Sequence, residues 1–297
     1  MGAMARALLA AFRVCLGLAV GMALTGCASA HRYAYTPDDL RSELARRAPE
    51  VSQDVLFEVT PADVDRAFEM VKHLISTRER ALTLVRALSS PEGFGLRYDW
   101  AMGNDARSTL RDGGGTCLGL SSVLIGLARG IGLEAYYVDA TVEPEVREEE
   151  EVNVIAGHIA VLVQTDSGGL LVDFAGQVER MRFFKRIDDL EAVARYHNNL
   201  GYEVIHQAQE ARAAVPWEQV GTHIERSTRV APEFASGWNN LGVVRARLGD
   251  LDGAEMAYRR ALELDPSFAS AAKNLTRLEG RKDRAAAPAA AGTTATP

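Results

Sequence analysis

The chain has 297 residues, of which 47% are hydrophobic and 25% charged, and its formal net charge is −7. An acidic balance of this size argues against a nucleic-acid partner, because phosphate backbones bind to basic surfaces. The length and the ordinary globular composition predict one or two domains, each large enough to bury its own core.

The first 26 residues have the order of properties of a bacterial export signal. Residues 1–13 carry Arg6 and Arg13 without an acidic residue, and residues 14–24 are apolar. This apolar stretch is shorter than the ~20 residues that a spanning helix needs. The sequence Leu-Thr-Gly-Cys that ends at Cys27 resembles a lipobox, in which the cysteine receives fatty acids such as palmitate and becomes the first residue. The alternative is an ordinary cleaved signal that leaves Cys27 unmodified.

Removal of residues 1–26 takes away two arginines, so the formal charge of the mature chain becomes −9. No second apolar run is long enough to span a membrane, so the lipid would be the anchor. Ala28 and Ser29 follow the cysteine and lack the aspartate associated with retention in the inner membrane. We therefore expect an outer-membrane lipoprotein that faces the periplasm, with residues 27–40 as its tether.

Residues 41–188 are predicted to form the first domain. The pattern from Pro37 to Leu110 is mostly helical, because apolar residues recur at three- and four-residue spacing between Val64 and Leu88. Thr60 and Pro61 are typical of a helix cap followed by proline at the first helical position. The helical pattern stops near Ser90.

Cys117 is the most informative residue of this domain. Cys15 lies in the leader and Cys27 in the lipid-attachment motif, so no cysteine remains to form a disulfide with Cys117. The residue follows a glycine run, and Thr116 is predicted to cap an amphipathic helix over residues 118–129. A helix N-terminus favours the thiolate form of a cysteine. The alternative is a buried structural cysteine behind a flexible loop.

Three short runs after this helix predict an antiparallel sheet, which makes the domain α+β. They cover residues 134–142, 157–164 and 169–174. His158 opens the second run and Asp173 lies near the end of the third, so one turn would place them on neighbouring strands. The imidazole would then face Cys117 with the carboxylate behind it. Each residue alone has a simpler interpretation, His158 as a surface residue and Asp173 as a turn cap.

These three motifs together resemble the transglutaminase-like superfamily of papain-related thiol enzymes. The resemblance covers residues 96–176, in the order of a cysteine helix, a strand, a histidine strand and an aspartate strand. It implies a nucleophile helix packed on an antiparallel sheet, with Cys117 as nucleophile, His158 as base and Asp173 as orienting residue. Many relatives carry tryptophan after the histidine, whereas Ile159 follows here.

Other features near the site leave alternatives open. The second oxyanion donor is not assigned, because spacing fixes neither Trp100 nor Asn104. Zinc binding by Cys117, His158 and Asp173 is disfavoured, since the paired spacing of zinc ligands is absent; we predict no metal and no cofactor. The acidic run at residues 143–151 is a solvated hairpin tip or a means of attracting amine substrates.

Residues 189–280 resemble tetratricopeptide repeats. The pattern is clearest in the stretch from Trp238 to Pro266, with Arg245 standing where an aromatic residue is usual. Residues 196–232 resemble a degenerate repeat, with an insertion of about seven residues before its second helix. Residues 269–278 are predicted to be a capping helix, and residues 281–297 a disordered tail.

Taken together, these patterns predict a lipid-anchored envelope enzyme that attacks a peptide bond or a glutamine side chain. Hydrolysis is favoured over cross-linking, because no feature marks an amine-binding tunnel. The repeats are expected to bind a protein partner. The alternative function is a non-catalytic lipoprotein adaptor that acts through its repeats.

Overall fold

The computed structural model describes residues 32–140, 158–175 and 184–286, except for the side chains of residues 100–102 and 285–286. The predicted leader, Cys27 and the acidic run at residues 143–151 lie outside these ranges. A compact unit begins at Tyr33. It is mostly helical with some sheet, as expected for an α+β chain.

The predicted helices and the three predicted strands occur in the expected order, and the structure adds three strands that were not predicted, at residues 97–103, 114–115 and 185–186. The helices are α1 (Pro37–Arg47), α2 (Pro61–Val71), α3 (Thr77–Ser89), α4 (Ala106–Asp112), α5 (Cys117–Gly130), α6 (Asp189–Glu210), α7 (Trp217–Val230), α8 (Ala235–Leu248), α9 (Leu251–Leu264) and α10 (Ala269–Ala286). The strands are β1 (Arg97–Gly103), β2 (Gly114–Gly115), β3 (Ala135–Asp139), β4 (Ile159–Thr165), β5 (Gly168–Val172) and β6 (Lys185–Arg186).

Side-chain caps explain where many of these helices begin. In each case a Ser, Thr or Asp side chain accepts a hydrogen bond from the backbone N–H three residues later, which satisfies a donor that the first turn leaves unpaired. The predicted cap at Thr60 is confirmed, and it forms a reciprocal capping box with Asp63. The caps are Thr36, Thr60, Ser76, Asp105, Thr116, Asp188 and Asp250.

The main sheet is antiparallel where the prediction expected it. Its strands lie in the order β5-β4-β3-β6, with Tyr137 opposite Val161 and Val161 opposite Val172. Helix α5 packs on β3 and β4, and nearly all of its residues are buried. Because α5 packs on these strands, its N-terminus, where Cys117 lies, has a fixed position relative to the strand ends.

The N-terminal boundary of the folded unit differs from the predicted tether. Leu40 and Leu44 of α1 are fully buried in the first core. Ahead of α1, the Tyr33 carbonyl accepts from the Asp189 N–H (3.2 Å), and the Tyr35 N–H donates to the Asp189 carboxylate (2.9 Å). The tether therefore does not extend to residue 40, because the Thr36 cap starts a helix whose leucines are part of the core.

The C-terminal helices repeat one packing contact. A Cβ placed at Gly242 would lie 2.5 Å from the Tyr258 ring, and one placed at Gly201 would lie 2.9 Å from Ile224. The second pair is seven positions further apart in sequence than the first. The span from Leu200 to Trp217, where the second helix of one pair begins, is also seven residues longer than the span from Leu241 to Leu251 in the other pair. The two helix pairs therefore share one packing contact, and the pair that contains Gly201 has seven more residues between the contacting positions.

Helix α6 belongs to both hydrophobic cores. Leu190 and Val193 lie in the core that contains α5 and the sheet, whereas Ile205 lies in the core of the repeats. A bidentate ion pair joins Arg129, at the end of α5, to Asp189 in the first turn of α6 (2.8 and 3.0 Å). The two regions consequently share one rigid element.

The last helix is longer than predicted. It runs to Ala286, and the Lys282 ammonium group donates to Asp252 (2.5 Å) and Glu255 (2.7 Å) of α9. The tail therefore does not begin at residue 281, because this ion pair and the helical pattern continue beyond Gly280. Within the described ranges, no helix has the length and apolar character needed to cross a bilayer.

Candidate active site

The N-terminus of α5 presents Cys117 in the first turn, as predicted. The Thr116 side chain caps this helix by accepting from the Gly119 N–H at 3.2 Å. The N–H of Cys117 has no intrahelical partner, because the first N–H groups of a helix have no preceding turn to bond to. The thiol is free and partly exposed. The helix end therefore offers both a nucleophile and a backbone donor beside it.

Two glycines let the segment before α4 approach this helix end. The Thr116 N–H donates to the Gly103 carbonyl at 3.1 Å. A Cβ at Gly115 would lie 2.6 Å from that carbonyl oxygen, and one at Gly119 would lie 2.2 Å from it. Only residues without a side chain fit at these two positions. The sequence signal of a glycine-rich approach to Cys117 thus reflects close backbone packing.

His158 and Asp173 lie at adjacent ends of β4 and β5. The Nε2 atom of His158 is 2.8 Å from Oδ1 of Asp173. The Asp173 side chain is fully buried, and the same oxygen accepts from the Ala175 N–H at 2.9 Å. Asp173 therefore forms both contacts that the sequence suggested for it. It caps a turn, and it is hydrogen-bonded to His158.

The pKa of His158 lies above its ordinary value, mainly because hydrogen bonding to the Cys117 side chain favours the charged imidazolium. Burial opposes the shift, while the charges of Cys117 and Asp173 support it. The structure thus brings together the three residues that the sequence singled out. A histidine so placed can take the thiol proton and be held in one orientation by the carboxylate.

Tyr98 is a neighbour of the site that the sequence did not reveal. It pairs with Gly115 in the small parallel ladder of β1 and β2. Burial raises the pKa of its phenol, and so do the negative charges of Cys117 and Asp173. The residue is 49% exposed. Its place on a short strand two residues before Trp100 carries no motif, so only the folded structure identifies it as a neighbour of the thiol.

Of the two candidates for a second oxyanion donor, the structure describes the side chain of Asn104. The Asn104 side chain is bonded to Thr116, with 2.7 Å between Oδ1 and Oγ1. The side chain of Trp100 lies outside the described part of the chain. Among the described residues, no group of three or more His, Cys, Asp or Glu side chains is arranged to hold a metal ion.

Comparison with known proteins identifies the repeat region. A family described as tetratricopeptide repeat matches residues 235–268, which contain α8 and α9. The chain is also similar to heat shock protein STI1 of Saccharomyces cerevisiae, at 45% identity over 47 residues. These residues are 16% of this chain and span 8% of the length of that relative. The prediction of a clear repeat between Trp238 and Pro266 is confirmed, and a repeat of this kind indicates a protein partner.

Proposed function

We propose that this protein is a lipid-anchored thiol enzyme that attacks amide bonds with Cys117, His158 and Asp173 and binds a protein partner through its repeats. The observation that carries the catalytic part is the position of His158. Its ring contacts a free thiol at a helix N-terminus on one side and a buried carboxylate on the other. Such an arrangement is the one needed to activate a cysteine for acyl transfer.

The first half of the reaction is acylation of the thiol. His158 holds the proton of Cys117, and the thiolate attacks the amide carbonyl carbon, so a C–S bond forms while the carbonyl π electrons move onto oxygen. The Cys117 N–H donates to this oxyanion. When the carbonyl re-forms, the C–N bond breaks and the leaving amine takes the proton from the His158 imidazolium.

The second half regenerates the thiol. Water attacks the thioester carbonyl while His158 accepts its proton, and collapse of the intermediate releases a carboxylic acid and the Cys117 thiolate. An amine in place of water would give a new amide, which is cross-linking. Hydrolysis needs no site beyond the residues described above. We therefore assign hydrolysis of a peptide bond or a glutamine side chain as the reaction.

An activated ester tests the acyl-thiol intermediate. After brief treatment of the full-length protein with p-nitrophenyl acetate, peptide mass mapping should find an acetyl group on Cys117 that hydroxylamine removes. The Cys117→Ser variant should lack this acetyl group and should release p-nitrophenolate only at the slow background rate of lysine acetylation. Acetylation confined to lysines in both proteins would contradict the proposal and favour the adaptor function.

The anchoring part of the proposal rests on the lipobox-like sequence at residues 24–27. We expect Cys27→Ser to move the protein from the membrane fraction to the soluble or unprocessed pool, because the acyl chains supply the membrane affinity. The folded unit begins at Tyr33, so the substitution should leave Cys117 reactivity unchanged. Unaltered membrane fractionation and electrophoretic mobility would contradict lipidation at Cys27.

A further inference from the structure

The hydroxyl group of Thr116 has a fully determined hydrogen-bond pattern. Its oxygen accepts from the Gly119 N–H as the helix cap, at 3.2 Å. A hydroxyl has one hydrogen to donate, and the partner within reach of it is the Asn104 side chain at 2.7 Å. Because Thr116 donates, the Asn104 atom that faces it has to be an acceptor. The amide oxygen of Asn104 therefore points to Thr116, and its NH₂ group points away.

The free NH₂ group is fixed in place by two bonds from one residue. Thr116 holds the side chain of Asn104 through its hydroxyl and holds the preceding residue through its N–H, which donates to the Gly103 carbonyl. Among the described residues, none accepts a hydrogen bond from Asn104 Nδ2. A half-buried amide donor is thus oriented beside the residue that directly precedes the nucleophile.

We propose that Asn104 is the second donor to the oxyanion and that Thr116 positions it. The assignment rests on the proposed acyl-transfer function. When the Cys117 thiolate forms its bond to the carbonyl carbon, the negative charge appears on the carbonyl oxygen. The Cys117 N–H and Asn104 Nδ2–H then donate to that oxygen, and both bonds weaken when the carbonyl re-forms and the leaving group departs. A donor held before the reaction stabilises this charge without having to reorganise.

Tyr98 is the competing donor in this part of the site. Its phenol lies close enough to Cys117 for the thiolate charge to raise its pKa. Its ring is about half exposed, and no described residue forms a hydrogen bond with its hydroxyl group. No described residue therefore holds the phenol by a hydrogen bond, whereas Thr116 holds the Asn104 amide. Preorganisation favours Asn104.

Two reagents distinguish an effect on oxyanion stabilisation from an effect on thiolate formation. p-Nitrophenyl acetate acylates a thiol through a tetrahedral oxyanion, whereas iodoacetamide alkylates it by direct displacement without one. Loss of one oxyanion donor typically lowers a rate by roughly 10²–10³. We expect Asn104→Ala to slow the acylation of Cys117 by at least about tenfold on this activated ester. Its alkylation rate at pH 6 should stay within about twofold of the wild-type rate, because alkylation needs only the thiolate.

Two further variants separate a chemical role from a structural one. Asn104→Asp keeps the oxygen that accepts from Thr116 and replaces the NH₂ donor with a negatively charged oxygen, so it should slow acylation at least as much as alanine does. Thr116→Ser keeps the cap and the hydroxyl and should acylate like the wild type, whereas Thr116→Val removes the bond that orients Asn104 and should slow acylation. Circular dichroism of each variant checks that α5 is still folded.

The outcomes distinguish failure of the Asn104 assignment from failure of the proposed thiol-enzyme function. Wild-type acylation in both Asn104 variants, with fast alkylation in all proteins, would overturn the assignment of Asn104 and leave the thiol enzyme intact. Slow acylation in Tyr98→Phe with unchanged Asn104 variants would also overturn it, in favour of the phenol. If the wild-type protein neither alkylates at pH 6 nor acylates, the proposed function fails and this assignment fails with it.

Discussion

The thiol region and the repeat region are built by different rules. In the repeats, one contact recurs at a fixed step along the chain, as when Gly201 meets Ile224 and Gly242 meets Tyr258. In the thiol region, each important contact is unique and joins distant positions, as in the bond between His158 and Asp173. A recurring contact can be read from a sequence by its period, whereas a unique one depends on the fold that brings it together.

Buried asparagines show the same regularity in the repeats. Asn240 donates to Asn198 across 42 residues, and Asn274 donates to Asn239 across 35 residues. The two sequence separations again differ by seven residues, which is the length of the insertion. Each bond satisfies a polar side chain that is nearly or fully buried, so it holds neighbouring repeats in register.

The largest expected effect comes from the ion pair that joins the two regions. Arg129→Ala leaves the carboxylate of Asp189 buried at 1% exposure without its bidentate partner. Loss of one member of a buried pair costs about 3–5 kcal/mol. We expect urea unfolding, followed by circular dichroism, to show a loss of this order with both regions unfolding together, because α6 supports both cores.

A matched control for this variant is Arg46→Ala, which removes an exposed arginine from an ion pair with Glu43 within α1. It should leave the unfolding midpoint unchanged, because exposed pairs contribute little. Two separate transitions in Arg129→Ala, with only one shifted, would show that α6 does not couple the regions.

A substitution inside the repeats should have a smaller and more local effect. Ala254 is fully buried in the repeat core, so Ala254→Arg places a charge where helices α8 and α9 cross. The expected loss of unfolding free energy is at least ~2 kcal/mol. Met256 lies on the same helix and is 65% exposed, so Met256→Arg is the control and should change little.

The same variant tests whether the repeats are needed for the chemistry. We expect the alkylation rate of Cys117 under native conditions to survive Ala254→Arg, because the helix that carries the thiol packs in the other core, starting with Leu118. Loss of thiol reactivity together with stability, in a protein that still folds, would mean that the repeats are part of the catalytic core.

The smallest expected effect is a pH dependence of the stability, which arises where α6 and α7 pack. Burial lowers the pKa of His223 below its ordinary value of 6.5, and the charges of His197 and Arg226 lower it further. The unfolded chain then binds more protons than the folded one just below pH 6.5, so stability should fall as the pH falls through that value. His223→Gln should flatten this part of the curve of urea midpoint against pH. An unchanged curve would contradict the burial of His223.

The sequence predicted what depends on local pattern. The helix after Thr116, the three strands and the clear repeat follow from capping, alternation and period, and the order of motifs singled out Cys117, His158 and Asp173 together. The predicted boundaries at residues 40 and 281 differ from the extent of the helices in the structure, because Leu40 lies in the core and Lys282 is paired with α9.

Contacts between distant side chains left no signature that could be read in advance. The pairing of Arg129 with Asp189 and the bond between Thr116 and Asn104 join residues that no spacing rule connects. Tyr98 became a neighbour of the thiol only because Gly115 lets β1 pass close to α5. Such contacts depend on tertiary packing, so a sequence can supply candidates for them but cannot choose among them.

The most direct test of the account is the rate of iodoacetamide alkylation at Cys117 as a function of pH, located by peptide mass mapping. An ordinary thiol with a pKa of about 8.5 is almost entirely protonated at pH 6, whereas a thiolate paired with the His158 imidazolium reacts there. We expect the wild-type protein and His73→Ala to react at pH 6, Asp173→Ala to react more slowly, and His158→Ala to lose this reactivity. If Cys117 instead titrates like a free thiol in all four proteins, the three residues do not act together and the catalytic account is contradicted.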